Sequence, residues 1–246
     1  MNSCFPSFDS ITDYPSGTNF INVLREVSNN ATTAVDQKTM LETITELRRM
    51  RKYQRELFEK TFDNIISRFL YIYIKSQEEN DINNIVLPAA LSFLGEIFSD
   101  TPFEFDETWI ERIYYTIEKY FFSSNETVRN ISREVARQLA INMAFSITFE
   151  LFFDSIMENN QEKKQFIFSL FQLAFDNVDQ TTLIFKYEWN VILPGFNFTK
   201  ESKGTMKFES VKKIMEMFRN KIGGRWNELV EWIPDDAKET LNLFFN

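Results

Sequence analysis

Few residues in this chain are suited to catalysis or metal binding. The sequence has no histidine in 246 residues, which removes the commonest general base and transition-metal ligand. Two carboxylate clusters remain, Glu78-Glu79-Asp81 and Asp235-Asp236, and paired carboxylates can bind a cation or act as acid and base. Both clusters lie in polar stretches without apolar neighbours that would perturb their pKa values. The sequence therefore favours a solvated surface at both places.

Other signatures of catalysis are also missing from the sequence. The single cysteine, Cys4, cannot form a disulfide within the chain or a thiolate metal cage. The sequence contains no glycine-rich phosphate loop, nucleophile elbow or EF-hand spacing. We therefore predict a protein that is not an enzyme and that uses no cofactor or metal.

Charge and hydropathy narrow the class of partner. The formal charge of −9 disfavours a nucleic-acid binder, because neutralised phosphates supply most of the affinity of such proteins. No apolar run is long enough to span a membrane, and the first residues lack the pattern of a signal peptide. The 27 phenylalanines are spread along every segment, which indicates core residues. These features predict a cytoplasmic protein without a membrane or nucleic-acid partner.

The elements that would position any site are helices. Six glycines and six prolines are few, which favours long helices joined by short polar loops. Apolar residues at helical spacing predict helices over 18–30, 39–53, 56–75, 85–100 and 106–122, and another that starts near Val128. Asp36, Asn80 and Asn125 lie at corresponding points, 44 and 45 residues apart. Two helices in each period of this length predict an all-α fold, a HEAT/armadillo-like α-solenoid.

The pattern is looser after residue 145. A fourth pair is predicted around a loop at 160–164 and a fifth around a loop at 198–204, followed by a terminal cap over 225–246. Pro194-Gly195 and Gly223-Gly224 are expected to end helices, and Trp109 and Trp226 are expected in the core. The full prediction is about five to six helix pairs in one domain over 17–246, after a flexible segment over 1–16.

Three stretches carry a resemblance to a known family. They are "DQKTMLETITELRRMRKYQRELFEKTFDNII" (36–66), "LPAALSFLGEIF" (87–98) and "SSNETVRNISREVARQL" (123–139). Together they resemble the TOG domains of the CLASP and crescerin proteins. The resemblance implies a paddle of HEAT repeats whose intra-repeat loops align along one edge and bind tubulin or microtubules. It also implies a location at the cytoskeleton, including the cilium or the spindle.

Carried over by position, the resemblance implies a loop edge built from five intra-repeat loops. In chain order the residues of this loop edge are Asp36, Gln37, Lys38, Lys75, Asn80, Asn83, Asn125, Thr127, Arg129, Lys163, Lys164, Lys200, Lys203 and Lys207. Those expected to bind the partner are Lys38, Lys75, Asn125, Arg129, Lys163, Lys164, Lys200 and Lys203.

Departures from the family pattern leave a second hypothesis open. The tryptophan usual in the first loop is absent, and the second loop carries Glu78, Glu79 and Asp81. Carboxylates that face acidic tubulin reduce the association rate and the affinity. The alternative is a HEAT-repeat scaffold that has lost tubulin binding and holds another protein partner.

Each loop-edge residue also has a simpler interpretation. Arg129 can pair with Glu126 or Glu134 on its own helix, and the four later lysines can be solvated loop charges. Asn125 or Thr127 is expected to cap the helix that follows, and Arg133 is expected to point outward.

Overall fold

A computed structural model describes most of the chain as helices and turns. The described residues are 37–75, 77, 85–99, 106–157, 160–186 and 198–245. They contain no β-strand, so the predicted all-α fold class is confirmed for this part of the chain. The predicted flexible segment over 1–16 and the predicted helix over 18–30 lie outside the described residues. The chain divides between Asn142 and Met143 into two compact units, which are described separately. The single domain predicted over 17–246 stays a prediction.

The first unit contains five described α-helices and one π-helical segment. Their bounds are α1 Gln37–Tyr53, α2 Arg55–Phe69 continued by the π-helical segment Leu70–Lys75, α3 Val86–Ser99, α4 Glu107–Glu118 and α5 Glu126–Asn142. The helices predicted from apolar spacing in this region are confirmed to within a few residues. Pro88 lies in the first turn of α3, where its missing N–H leaves no hydrogen bond unmade.

Helix α3 is the centre of the first unit. Ten of its 14 residues are buried, so little of its surface is exposed to solvent. It packs against α1 on one side and α5 on the other, and the π-helical segment packs against both α3 and α4. A Cβ atom at Gly95 would lie 3.4 Å from Cγ2 of Val135, which shows how closely α3 and α5 approach. This packing is compatible with a helical solenoid.

A buried ion pair joins α1 to α3. Arg48 is 2% exposed, and its Nε and Nη2 atoms donate to the two carboxylate oxygens of Glu96 at 2.8 and 2.6 Å. This two-point geometry suits a planar guanidinium and a carboxylate. Because the arginine is buried, loss of Glu96 would leave a desolvated charge without its counterion.

We therefore expect Glu96→Ala to lower the free energy of unfolding by about 2–4 kcal/mol, as measured by urea denaturation. The double variant Arg48→Met/Glu96→Leu should recover most of this loss, because it removes the buried charge with its partner. Glu111→Ala removes an exposed carboxylate from α4 and serves as the control, with a change within about 0.5 kcal/mol. A Glu96→Ala effect no larger than the control would contradict a structural role for the pair.

The second unit is also helical. Its elements are α6 Phe145–Ile156, α7 Gln161–Asp176, a π-helical segment Thr182–Lys186, a 3₁₀ turn Lys200–Ser202, α8 Met206–Ile222, a 3₁₀ turn Gly223–Arg225, α9 Trp226–Trp232 and α10 Asp235–Phe245. Helix α7 packs against α6 and α8. The loop predicted at 160–164 is wrong, because Asn160 accepts a hydrogen bond from the backbone N–H of Lys163 and caps α7 one residue before it begins.

Phenylalanine rings form the core of the second unit. The Phe175 and Phe218 ring centroids are 4.7 Å apart at 86°, and those of Phe145 and Phe175 are 5.0 Å apart. Phe149 and Phe171 meet edge to face at 5.7 Å. Such edge contacts are favourable beyond the area that the rings bury. The phenylalanines thus fill the core here, as predicted.

Helix α8 ends at a glycine, as the sequence predicted. Gly223 has φ +59° and ψ −129°, and its N–H donates to the Arg219 carbonyl. A residue with a Cβ atom is strained at this positive φ. The predicted helix end at Pro194-Gly195 lies outside the described residues.

Replacement of Gly223 by alanine should therefore cost about 1–2 kcal/mol of stability, measured as a fall in the free energy of unfolding. Gly224→Ala provides a matched control, since Gly224 does not have a positive φ and a Cβ atom there meets no atom within 4 Å. Equal effects of the two substitutions would show that the backbone angle is not what requires glycine.

Candidate functional site

The third predicted loop is hydrogen-bonded to the helix that follows it. The Asn125 Oδ1 atom accepts hydrogen bonds from the backbone N–H groups of Thr127 at 3.1 Å and Val128 at 3.3 Å. Asn125 therefore caps α5, as predicted. The Ser123 hydroxyl in turn accepts from the Asn125 N–H at 3.1 Å. These bonds satisfy backbone donors that a helix start otherwise leaves without partners.

Two arginines one helical turn apart fasten this loop to α5. Arg129 Nη1 donates to the Ser123 carbonyl and Arg133 Nε donates to the Phe121 carbonyl, both at 2.6 Å. The Arg133 guanidinium also lies 4.7 Å from the centroid of the Phe122 ring. Hydrogen bonds from a charged donor are stronger than neutral ones. We refer to Arg129 and Arg133 with these carbonyls as the arginine clamp.

The arginine clamp changes the interpretation of both side chains. Arg129 is half-buried and bonds to its own loop, whereas Glu134 accepts from Arg137 and Gln138. The alternative of a pair between Arg129 and Glu126 or Glu134 is therefore wrong. The expectation that Arg133 points outward is wrong too, because the loop carbonyls lie within reach of both guanidinium groups. The signal in the sequence was the four-residue spacing of Arg129 and Arg133, which places both side chains on the same face of α5.

The other loop-edge residues of the first unit that the structure describes lie at helix ends. Gln37 and Lys38 begin α1, and Lys38 makes a weak exposed pair with Glu42 at 3.8 Å. Lys75 is exposed at the end of the π-helical segment. Asp36, Asn80 and Asn83 lie outside the described residues, as does the acidic cluster of the second loop.

Lys163 and Lys164 are not solvated loop charges. Both lie in the first turn of α7 and are buried, at 9% and 4% exposure. The Lys164 Nζ atom donates to the Ser210 hydroxyl on α8 at 3.0 Å, and burial lowers the pKa of Lys164. The aliphatic stem of a lysine packs well against apolar neighbours, but its charge is costly to desolvate. Lys164 therefore helps to join two helices and does not present its charge at a surface.

Because its pKa is lower in the fold than in the unfolded chain, protonated Lys164 should destabilise the fold. The penalty is present at neutral pH and is relieved as the pH rises through the folded pKa towards the ordinary value. We expect Lys164→Met to raise the free energy of unfolding at pH 7 by on the order of 1 kcal/mol. The gain should shrink towards about pH 10, as measured by urea denaturation at both pH values.

The exposed Lys207 in the first turn of α8 supplies the control. Lys207→Met should change stability by less than about 0.5 kcal/mol at either pH. A Lys164→Met variant that is less stable at both pH values would show that the bond to Ser210 outweighs the burial of the charge.

Lys200 and Lys203 lie beside a shallow groove of the second unit. Both are exposed and line a space of about 580 Å³ together with Phe198, Asp236 and Glu239. Two cations and two carboxylates balance each other in charge. Within this unit Lys200, Lys203 and Lys207 are the predicted edge lysines that the structure leaves exposed.

The described acidic groups show no catalytic arrangement. The lowered pKa values belong to exposed carboxylates, and the main cause of each is a hydrogen bond from a neighbouring side chain. The pairs are Asp106 with Thr108, Asp179 with Thr182, Glu201 with Thr199 and Glu228 with Arg225. Asp235 is 97% exposed at the side chain and pairs with Lys238 at 3.0 Å. Its solvated position agrees with the sequence prediction for the second carboxylate cluster.

Metal-ligand clusters and membrane-spanning helices are both absent from the described residues. No group of three or more histidine, cysteine, aspartate or glutamate residues in the described part of the chain is placed to hold a metal ion. None of the helices described has the length and apolar character needed to cross a membrane.

The two tryptophans predicted in the core are only half-buried. Trp109 on α4 lies under the Arg112 guanidinium, 4.8 Å from its ring centroid, and Trp226 packs edge to face on Phe245. Where the core does not cover the face of a tryptophan ring, a cation–π contact with arginine is favourable.

Comparisons with known proteins identify no family for this chain. No protein-family model matches it, and a search of curated proteins also found no match. The resemblance to TOG domains therefore stays a prediction.

Proposed function

We propose that this protein is a non-enzymatic binding module, a TOG-like array of HEAT repeats that binds tubulin or microtubules through its intra-repeat loops. The support comes from the first unit, where α3 packs between α1 and α5 and the arginine clamp holds the loop before α5. A loop that is ordered before binding loses less conformational entropy when a partner docks. The clamped loop is the observation that best supports the proposal.

The absence of a catalytic constellation among the described residues supports a binding role over an enzymatic one. General acids are usually carboxyl groups whose pKa burial has raised, whereas the exposed carboxylates described above have lowered values. The described grooves are open and shallow, which suits a protein surface better than a small substrate.

A second candidate is a HEAT-type scaffold for a different protein partner. It is favoured by the burial of Lys163 and Lys164 and by the bond from Arg129 to its own loop. Three of the cations expected along the loop edge are thus engaged or buried inside the protein. Lys75, Lys200 and Lys203 stay exposed for an acidic partner.

The tubulin proposal makes a direct binding prediction. The full chain should co-migrate with tubulin on size exclusion, or pellet with microtubules, at low salt where attraction between charges is least screened. Lys200→Glu/Lys203→Glu should weaken this binding about tenfold, because carboxylates would then face an acidic partner. Arg129 is unsuitable for such a test because its substitution would also release the arginine clamp.

The control for this experiment is Lys60→Glu/Arg68→Glu, which makes the same change in net charge on the exposed side of α2. This variant should bind tubulin as the unaltered chain does. Equal weakening by both variants would show that net charge, and not the loop edge, governs the association. Absence of binding by the unaltered chain at low salt would contradict the tubulin proposal and favour the scaffold.

A further inference from the structure

A basic groove lies between α4 and the π-helical segment that continues α2 in the first unit, and Lys75 is the one residue that it shares with the predicted loop edge. It encloses about 420 Å³ between Ser67, Leu70, Tyr71 and Lys75 on one wall and Trp109, Arg112, Tyr115 and Thr116 on the other. None of these eight residues is acidic, and two are cations. A local charge of this sign in a chain of net charge −9 requires an explanation.

The two cations of the basic groove are available to a partner. Lys75 is exposed, and no described carboxylate lies within ion-pair distance of it. Arg112 is exposed and stacks on Trp109, with its guanidinium 4.8 Å from the ring centroid. The ring contact restricts the guanidinium. The Arg112 side chain therefore loses little conformational freedom when a carboxylate binds to it. Arg112 also attracts the Asp106 carboxylate at the start of α4 electrostatically, and its several N–H donors allow it to bind a further anion.

Aromatic rings give the basic groove an apolar lining beside its charges. Tyr71 is 64% exposed and Tyr115 is 40% exposed, which is unusual for large side chains of a compact unit. Exposed aromatic residues next to arginine are characteristic of the centres of protein interfaces. The Tyr71 hydroxyl can also donate to a carboxylate.

We propose that the basic groove binds an acidic segment of a partner protein, with carboxylates on Lys75 and Arg112 and an apolar side chain against the tyrosine and tryptophan rings. The choice of an acidic occupant rests on charge complementarity, because the described lining residues include two cations and no acid. The proposal goes beyond the loop-edge function: Lys75 belongs to both surfaces, whereas Arg112, Tyr71 and Trp109 belong to the basic groove alone.

The test measures fluorescence anisotropy of a labelled peptide of about a dozen residues, in which one phenylalanine is flanked by glutamates. The unaltered chain should bind it with a Kd below about 1 mM at low salt, and added salt should weaken the binding. Lys75→Glu/Arg112→Glu should raise the Kd about tenfold or more. Tyr71→Ala leaves the charges in place and should also weaken binding, through the lost ring contact.

Two controls separate the basic groove from general attraction. Lys60→Glu changes an exposed lysine of α2 outside the groove and should leave the Kd within about twofold. A peptide with glutamine in place of glutamate should bind much more weakly. Failure of the acidic peptide to bind, equal binding of the glutamine peptide, or equal loss in the Lys60 control would each overturn the proposal.

This experiment contains no tubulin, so its outcome is independent of the loop-edge proposal. Arg112→Glu on its own should weaken peptide binding and leave any association that depends on Lys200 and Lys203 unchanged. An Arg112→Glu variant that binds the peptide as the unaltered chain does would also overturn the assignment.

Discussion

The first unit depends on the burial of α3, a helix without a polar face. Ten of its 14 residues are buried, so α1, α5 and the π-helical segment must all cover it before it is stable in water. The approach of α5 is close because Gly95 faces Val135. When α1 covers α3 it also buries Arg48. The buried guanidinium needs a carboxylate partner, which Glu96 of α3 provides.

Burial also explains which cations can meet a partner. Arg129 and Arg133 sit beside loop carbonyls and bond to them, while Lys164 extends to Ser210 on the neighbouring helix. A cation that folding has partly removed from water is stabilised by an acceptor within the same protein, because the fold has already removed part of its hydration. Cations at helix ends and on outer faces, such as Lys75, Arg112 and Lys200, keep their charge at the surface.

The described surfaces combine exposed cations with grooves that are open to solvent. A clamped loop, an aromatic groove with two cations and a second groove of balanced charge offer area and charge for a partner. The described residues contain no group of three or more acidic or sulfur ligands placed to hold a metal ion. An acidic protein partner is what we propose both for the exposed lysines of the loop edge and for the basic groove, and substitution of Arg112 separates the two proposals.

The sequence alone was sufficient for the features that depend on local periodicity and backbone geometry. Apolar spacing located the described helices of the first unit, Asn125 was expected as a cap, and Gly223 was expected at a helix end. The directions of long polar side chains were decided only by tertiary structure. Arg48 donates to Glu96, which is 48 residues later in the chain, and Lys164 donates to Ser210, which is 46 residues later. The basic groove likewise exists only because packing places the π-helical segment beside α4. Local spacing carries no information about such neighbours, since they meet only when separate helices bury their apolar faces together.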